Sequence, residues 1–331
     1  MNRKQIFKYS IVLAVVSLLS GCGGGGEVTS DGSGKRQFIS IGTAPTGGAF
    51  DAVGRGISSA VDAGKGDNNW VVSATATKGT QENIRRLESG DIQFGMGNAA
   101  IAYFAVRGEG AWEKPHDLRA VATIAPNIGI FITQKSSGIK TIADLKGQRV
   151  VLGPAGAGFD YFLRPLFEAH GVKYEEVKEL NSTYTGTVDL LADGNADAAF
   201  MGGAIPIPAV TQACASQDIA FIPFDADALE SLPGKYPFYF SKTVPADTYS
   251  DLETDLEGIN VGNMQLLTHA SVDEDLVYNF TKILYENRDA VAKAHPAGKA
   301  INPKNAIKDT GTPFHPGAIK AYKEIGIWPA E

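Results

Sequence analysis

Phe38-Ile39-Ser40-Ile41-Gly42-Thr43-Ala44-Pro45-Thr46-Gly47-Gly48-Ala49-Phe50 is a short apolar run, a glycine-rich turn and the opening of a helix in thirteen residues. The helix continues with Phe50, Val53, Ile57 and Val61 at spacings of three and four, one apolar face to lay against a sheet. A counterpart lies further along the chain, where Arg149 to Gly153 leads into Gly153-Pro154-Ala155-Gly156-Ala157-Gly158-Phe159-Asp160 and a helix near Asp160 to His170. Glycines at such junctions let the backbone approach a ligand, and the N–H groups of the helix start lack intrahelical partners. A helix N-terminus with unpaired donors suits an anion, the dipole adding about 0.3 to 1 kcal/mol when exposed.

Outward from these turns, strand-like runs alternate with helical ones. Val71 to Thr77 precedes Gln81 to Glu88, and Ile92 to Gly97 precedes Ala99 to Val106. The rhythm restarts after Ala125-Pro126-Asn127 with Ile128 to Gln134, Arg149 to Gly153, Val177 to Leu180 and Ala198 to Met201. This is a βαβ pattern, and it predicts an α/β protein of two lobes with a parallel or mixed sheet in each. Tyr236 to Phe240 with Val261 to Thr268 is expected to return the chain to the first lobe, and Glu274 to Ala294 reads as one long amphipathic helix. The expected division is residues 38–125 with 226–331 as lobe 1 and 126–225 as lobe 2, joined by crossings near Ile124 to Asn127 and Phe221 to Asp225. Two crossings make a hinge that closes the lobes on a ligand.

The first residues read as an export signal ending at residue 22. Arg3, Lys4 and Lys8 form its basic start, Ile11 to Leu19 its apolar stretch, and Leu19-Ser20-Gly21-Cys22 looks like a lipoprotein cleavage box that would leave lipid on Cys22. Residues 23–37, rich in glycine and serine, then form a flexible tether. The expected location is extracytoplasmic, anchored to a bacterial membrane. Only Cys214 remains beyond Cys22, so no disulfide framework is available. The formal charge of −7 falls to −10 when the three cationic side chains of the signal are removed, which argues against a nucleic-acid partner.

The five histidines show no i, i+4 pair, so neither a metal nor another cofactor is expected. No Gly-x-Ser-x-Gly elbow is present, and Asp225/Asp227 and Asp273/Asp275 fall in loop or helix-start contexts, so no enzymatic activity is expected. The first turn lacks the Lys-Ser or Lys-Thr of a nucleotide-triphosphate loop, and the glycines of the second are not in dinucleotide order. The candidate ligand residues are therefore those of the two turns and the strand ends beside them: Thr43, Thr46, Gly47, Gly48, Ala49, Phe50, Thr77, Thr80, Asn98, Ala157, Gly158, Phe159, Asp160 and Gly203. Thr77, Thr80 and Asn98 serve equally as helix caps.

Several ordered segments resemble the TAXI-type solute receptors of TRAP transporters. They are Ile39 to Thr43 with Thr46-Gly47-Gly48, Thr77-x-Gly79-Thr80-x-x-Asn83, Gly138-Ile139-Lys140-Thr141-x-x-Asp144-Leu145-Lys146-Gly147 and Gly153-Pro154-x-Gly156-x-Gly158. Further on come Gly194-x-x-Asp197-Ala198-Ala199-Phe200 with Gly202-Gly203, Tyr236-Pro237-Phe238-Tyr239, Ala294-His295-Pro296 and His315-Pro316-Gly317-Ala318. The resemblance runs from about Phe38 to Trp328. It implies a bilobal periplasmic-binding-protein fold, a monomer that binds a small organic acid, glutamate-like or dicarboxylate, and a membrane permease driven by an ion gradient as partner. The alternative is the binding protein of an ABC importer, or a ligand-sensing subunit, with the same fold. Two positions depart from the family pattern, Ala49-Phe50-Asp51 and Gly158-Phe159-Asp160, and the second predicts a pocket altered from glutamate binding and narrowed by Phe159.

Overall fold

Alternating apolar residues form the first strand, β1 (Gln37–Gly42), which buries Ile39 and Ile41 completely. The computed structural model describes residues 36–46 and 48–329; Cys22, the tether up to residue 35 and Gly47 lie outside the described residues. After β1 come α1 (Ala49–Gly64), β2 (Trp70–Thr75), α2 (Thr80–Glu88), β3 (Phe94–Asn98), α3 (Ala99–Ala105) and β4 (Leu118–Thr123). The apolar face of α1 buries Val53, Ile57, Ala60 and Val61, each aliphatic side chain larger than alanine contributing roughly 1.5 to 3 kcal/mol.

The chain then crosses to a second sheet, built from β5 (Ile128–Gln134), β6 (Arg149–Val151), α4 (Asp160–Ala169), β7 (Lys178–Leu180), α5 (Tyr184–Ala192), β8 (Ala198–Gly203), α6 (Pro208–Ser216), β9 (Ile219–Ile222), α7 (Ala226–Lys235), β10 (Tyr239–Val244) and β11 (Leu256–Val261). It returns with β12 (Met264–His269), followed by α8 (Glu274–Glu286), α9 (Arg288–Ala294), α10 (Pro303–Ala306) and α11 (Pro316–Ile325). The first sheet has the order β2-β1-β3-β12-β4 and the second β10-β11-β5-β8-β6-β7. In the second, β9 and β11 share one edge of β5, pairing with Phe131–Gln134 and Ile128–Gly129 respectively. Both sheets are mixed and flanked by helices, the bilobal architecture expected from the sequence.

Three expectations are corrected. Tyr236 to Phe240 does not return the chain to the first sheet, because β10 pairs antiparallel with β11 and β11 with β5. Nor does the chain leave the second lobe near Phe221 to Asp225: β9 pairs with β5, α7 packs on α4, and the Asp225 amide donates to His170 Nε2 at 3.0 Å. The return crossing is Gly262-Asn263, between β11 and β12. The long C-terminal helix is in fact two, α8 and α9, divided at Asn287, whose side-chain amide donates back to the Ile283 carbonyl at 2.8 Å.

Among the described residues, apolar side chains form three clusters. One lies under the first sheet against α1 and α8, and another on one face of the second sheet around Ile130, Val210 and Tyr249. The third covers the other face of the second sheet and continues into the first lobe, where Ala99, Ile101, Ala102, Phe104 and Trp112 join Tyr161, Phe162 and Phe238. Helix α3 thus sits between the lobes as shared core.

Candidate functional site

The hinge is built from asparagines. The first crossing, Ile124 to Asn127, runs beside the second: Ile124 N–H donates to Met264 O at 2.7 Å, Met264 N–H to Ala125 O at 2.9 Å, and Val261 N–H to Asn127 O at 2.9 Å. The Asn127 amide donates to Asn260 Oδ1 at 2.8 Å, and Asn260 Nδ2 donates to the Phe238 carbonyl and to Asn263 Oδ1. Asn98 is the N-cap of α3, its Oδ1 accepting from Ala100 N–H at 2.8 Å, while its Nδ2 donates to the carbonyls of Val261 and Gly262, each at 3.2 Å. Gly262 has φ +110°, and a Cβ there would meet Asn98 Oδ1 at 2.3 Å. All four asparagines are buried; the side chains of Asn98, Asn260 and Asn263 bond within the hinge, and Asn127 engages it through its backbone.

Beyond the hinge, the lobes meet where the second glycine turn faces the start of α2. A Cβ on Gly158, at φ +85°, would lie 2.9 Å from Gln81 Cγ and 3.1 Å from Ile101 Cδ1 of the first lobe. A Cβ on Gly79 would lie 3.9 Å from Ala157 Cα. Tyr161 ties the same seam, hydrogen-bonding Gln81 and stacking on Trp112 with ring centroids 5.7 Å apart.

A cavity of about 150 Å³ opens at this seam. Gln81 comes from the first lobe, and Gly156, Gly158, Phe159, Asp160 and Arg164 come from the turn and α4. Tyr174, Glu179 and Asn181 close it from the segment around β7, which β6 holds in register through Val151 and Leu180. Arg164 is engaged by the Glu175 carboxylate and lies over the Tyr174 ring, 4.3 Å from its centroid. Glu179 accepts from Asn181 Nδ2 at 2.9 Å. Burial pushes the Asp160 carboxyl above its ordinary range, a shift that the nearby Arg164 opposes without cancelling.

The candidate residues divide into three groups. Gly158, Phe159 and Asp160 line the cavity and Ala157 packs beside it. Phe159 lines it with its ring lying over Gly153 and beside Phe162 and Phe200 at centroid distances of 5.0 and 6.0 Å. The second group is spent on internal bonds. Thr43 Oγ1 donates to Asp51 Oδ1 at 2.6 Å, Thr77 Oγ1 donates to the Thr43 carbonyl at 3.1 Å, Thr80 Oγ1 accepts from Asn98 N–H at 3.1 Å, and Asn98 serves the hinge. The N-cap of α2 is Gly79, so neither Thr77 nor Thr80 caps it.

The third group stands apart from the cavity lining. Thr46 is exposed, Gly48, Ala49 and Phe50 are half-buried, and Phe50 packs on the first-lobe core. Gly203 pairs with Ile128 in the second sheet. None of the described residues of the first turn lines this cavity. Sequence reasoning passed over Gln81, Arg164, Tyr174, Glu179 and Asn181; Arg164 alone carried a local signal, one helical turn beyond Asp160.

The NMT1-like family model matches residues 41–326 of this chain. Among solved structures, a protein of Bordetella bronchiseptica RB50 superposes with a TM-score of 0.54 at 17% identity, covering 89% of this chain and 90% of its own. A binding protein component of an ABC phosphonate transporter from Pseudomonas aeruginosa superposes with a TM-score of 0.51 at 13% identity, covering 78% and 79%. A Xanthomonas citri protein bound to chloride ion gives 0.51 at 8% identity, covering 88% and 97%. At these identities the likeness is one of fold.

Proposed function

This chain belongs to the NMT1-like family, and from that premise we propose that it is an extracytoplasmic solute-binding protein that captures a small solute between its lobes and hands it to a membrane permease. The observation that carries the reading is the cavity at the seam, lined by Gln81 of one lobe and the glycine turn and α4 of the other, beside a hinge of two adjacent crossings. Such an arrangement couples solute capture to lobe closure. The cavity is smaller than the roughly 300 to 1,000 Å³ of sites for drug-sized ligands, which points to a small metabolite.

In this reading the first lobe is residues 38–125 with the chain from residue 264 onward, and the second is 126–261. The ligand contacts are Gln81, Gly158, Phe159, Asp160, Glu179 and Asn181. Cys22 carries the lipid that holds the protein to the membrane, and the chain works by binding, without turnover.

The permease we favour is that of an ABC importer, since the Pseudomonas aeruginosa neighbour is the binding component of such a system. The ordered motifs shared with TAXI receptors support a second reading, in which an ion gradient drives transport. Uptake of the bound solute into proteoliposomes carrying the neighbouring permease genes separates them: dependence on ATP supports the first, and dependence on a sodium or proton gradient the second. Uptake that proceeds equally without this protein would overturn both.

A further inference from the structure

Tyr161 is a residue of the second lobe housed in the first. It stands on the first turn of α4, one residue past the cavity-lining Asp160, and is 5% exposed. Its neighbours come from three first-lobe segments. Trp112, in the loop between α3 and β4, stacks on its ring with centroids 5.7 Å apart and planes at 24°, and Phe104 of α3 lies at 5.9 Å. Gly110 of the same loop forms the floor: at φ +69°, a Cβ there would lie 2.8 Å from Tyr161 Cε1, so the loop comes this close only without a side chain. The hydroxyl is hydrogen-bonded by the Gln81 side chain of α2 and by the backbone of Ala111. The socket is braced in turn by Arg85, whose guanidinium lies 5.9 Å from the Trp112 ring centroid, and by His116, which meets Trp112 edge-on at 4.8 Å.

Ring, floor and hydroxyl are all served by the chain's own residues, and none of these contacts waits for a solute. Gln81 is also a wall of the cavity, so one side chain joins the socket to the site. The other aromatic contact of Phe104 across the lobes is of a different kind. Its partner Phe238 offers its carbonyl to the hinge residue Asn260, which puts that ring at the pivot. Parting the lobes therefore keeps the pivot and draws Tyr161 out of its socket.

We propose that Tyr161 is a latch that holds the lobes shut across the seam before a solute arrives, and that the solute enters when Tyr161 leaves its socket. This rests on the solute-binding reading above and adds a resting state to it. The closed form is the major species of the empty protein, and the open form is the minor one through which solute passes.

Double electron–electron resonance on the full-length protein in detergent tests the latch. Nitroxides are placed through Asp67→Cys in the first lobe and Asp193→Cys in the second, both exposed, in a Cys214→Ser background. Solute is removed by unfolding in urea and refolding, native mass spectrometry verifies its removal, and near-UV circular dichroism establishes that each variant is folded. The empty parent should give one distance. Tyr161→Ala should add a second distance and raise the open-to-closed ratio at least about tenfold, while Tyr161→Phe, which keeps the ring and loses the hydroxyl's bonds, should raise it by less. Gly110→Val, acting from the other lobe, should match Tyr161→Ala, and the double variant should open no further than either single one. An empty parent already divided between the two distances, or a Tyr161→Ala protein with the parent's single distance, overturns the latch and leaves solute binding standing. Native spectra taken before the solute is removed report on that reading separately: a parent that carries none overturns the role in solute entry, while the distances still decide whether Tyr161 holds the lobes shut.

Discussion

Replacing Gly262 with alanine tests the hinge where it is tightest. The residue sits at φ +110°, a conformation alanine adopts at a cost of about 1 to 3 kcal/mol. The added Cβ would also meet Asn98 Oδ1 at 2.3 Å and the Ala100 nitrogen at 2.6 Å, displacing the side chain that caps α3. Loss of an asparagine cap costs about 0.5 to 2 kcal/mol. Together Gly262→Ala should destabilise the protein by about 2 to 4 kcal/mol, a fall in Tm on the order of 3 to 7 °C for a chain of this size. Because the clash and the lost cap involve the same side chain, Asn98→Ala should recover part of the penalty. The double variant should fall short of the sum of the single effects by at least about 0.5 kcal/mol. Urea unfolding of the parent, both single variants and the double variant measures all four corners of this cycle. A Gly262→Ala protein within about 0.5 kcal/mol of the parent, or strictly additive effects, would refute the hinge geometry.

Asn83→Ala should cost about 2 to 4 kcal/mol in the same assay, because its Nδ2 serves the buried carbonyls of Gly42, Thr43 and Met96 at 3.2, 2.7 and 2.8 Å and alanine would remove that donor from all three, leaving the Thr43 carbonyl with the Thr77 hydroxyl. Asp160→Asn should raise ligand-free Tm at pH 7. The folded pKa of Asp160 lies above its unfolded value of about 3.8, so the ionised carboxylate costs stability above the folded pKa, and the gain from asparagine should fade as pH falls below the unfolded value. Asp197→Asn should do the opposite. The Arg149 guanidinium holds the Asp197 carboxyl below its usual range, so the pair stabilises the fold above the unfolded carboxylate pKa and that contribution is lost as pH falls through the folded one. Thermal melts from pH 3 to 7 check both signs. Cys22→Ala should move the protein from the membrane pellet to the soluble fraction after lysis, and retention in the pellet would count against the lipid anchor.

What the sequence made legible was local. The apolar run of β1, the glycine turn and the three-and-four spacing of α1 follow from short-range periodicity, as does the crossing at Ile124 to Asn127, where a proline and an asparagine interrupt two apolar strands. Asn98 read as a cap because it precedes an apolar helix, and it is one. The return crossing was not legible, because whether β10 and β11 join the first or the second sheet depends on pairing with β5, more than a hundred residues earlier. The same holds for the site. Gly158, Phe159 and Asp160 stood out in a turn, but Tyr174, Glu179 and Asn181 reach the cavity only because β7 lies parallel to β6 and carries its flanking residues there. The first glycine turn was the misleading signal: Thr43 is consumed by Asp51 and by the Thr75 carbonyl, so its polarity maintains the lobe.

The central claim is that a small solute occupies the seam between the lobes. Native mass spectrometry of the parent beside Gly158→Leu, purified identically, tests it most directly, since a leucine side chain at residue 158 would project toward Gln81 and Ile101 across that seam. The account predicts one small solute per parent chain, released on denaturation, and none on the variant. Equal occupancy in the two proteins, or a parent that carries no solute and gains no stability from any small amine or acid, would contradict it.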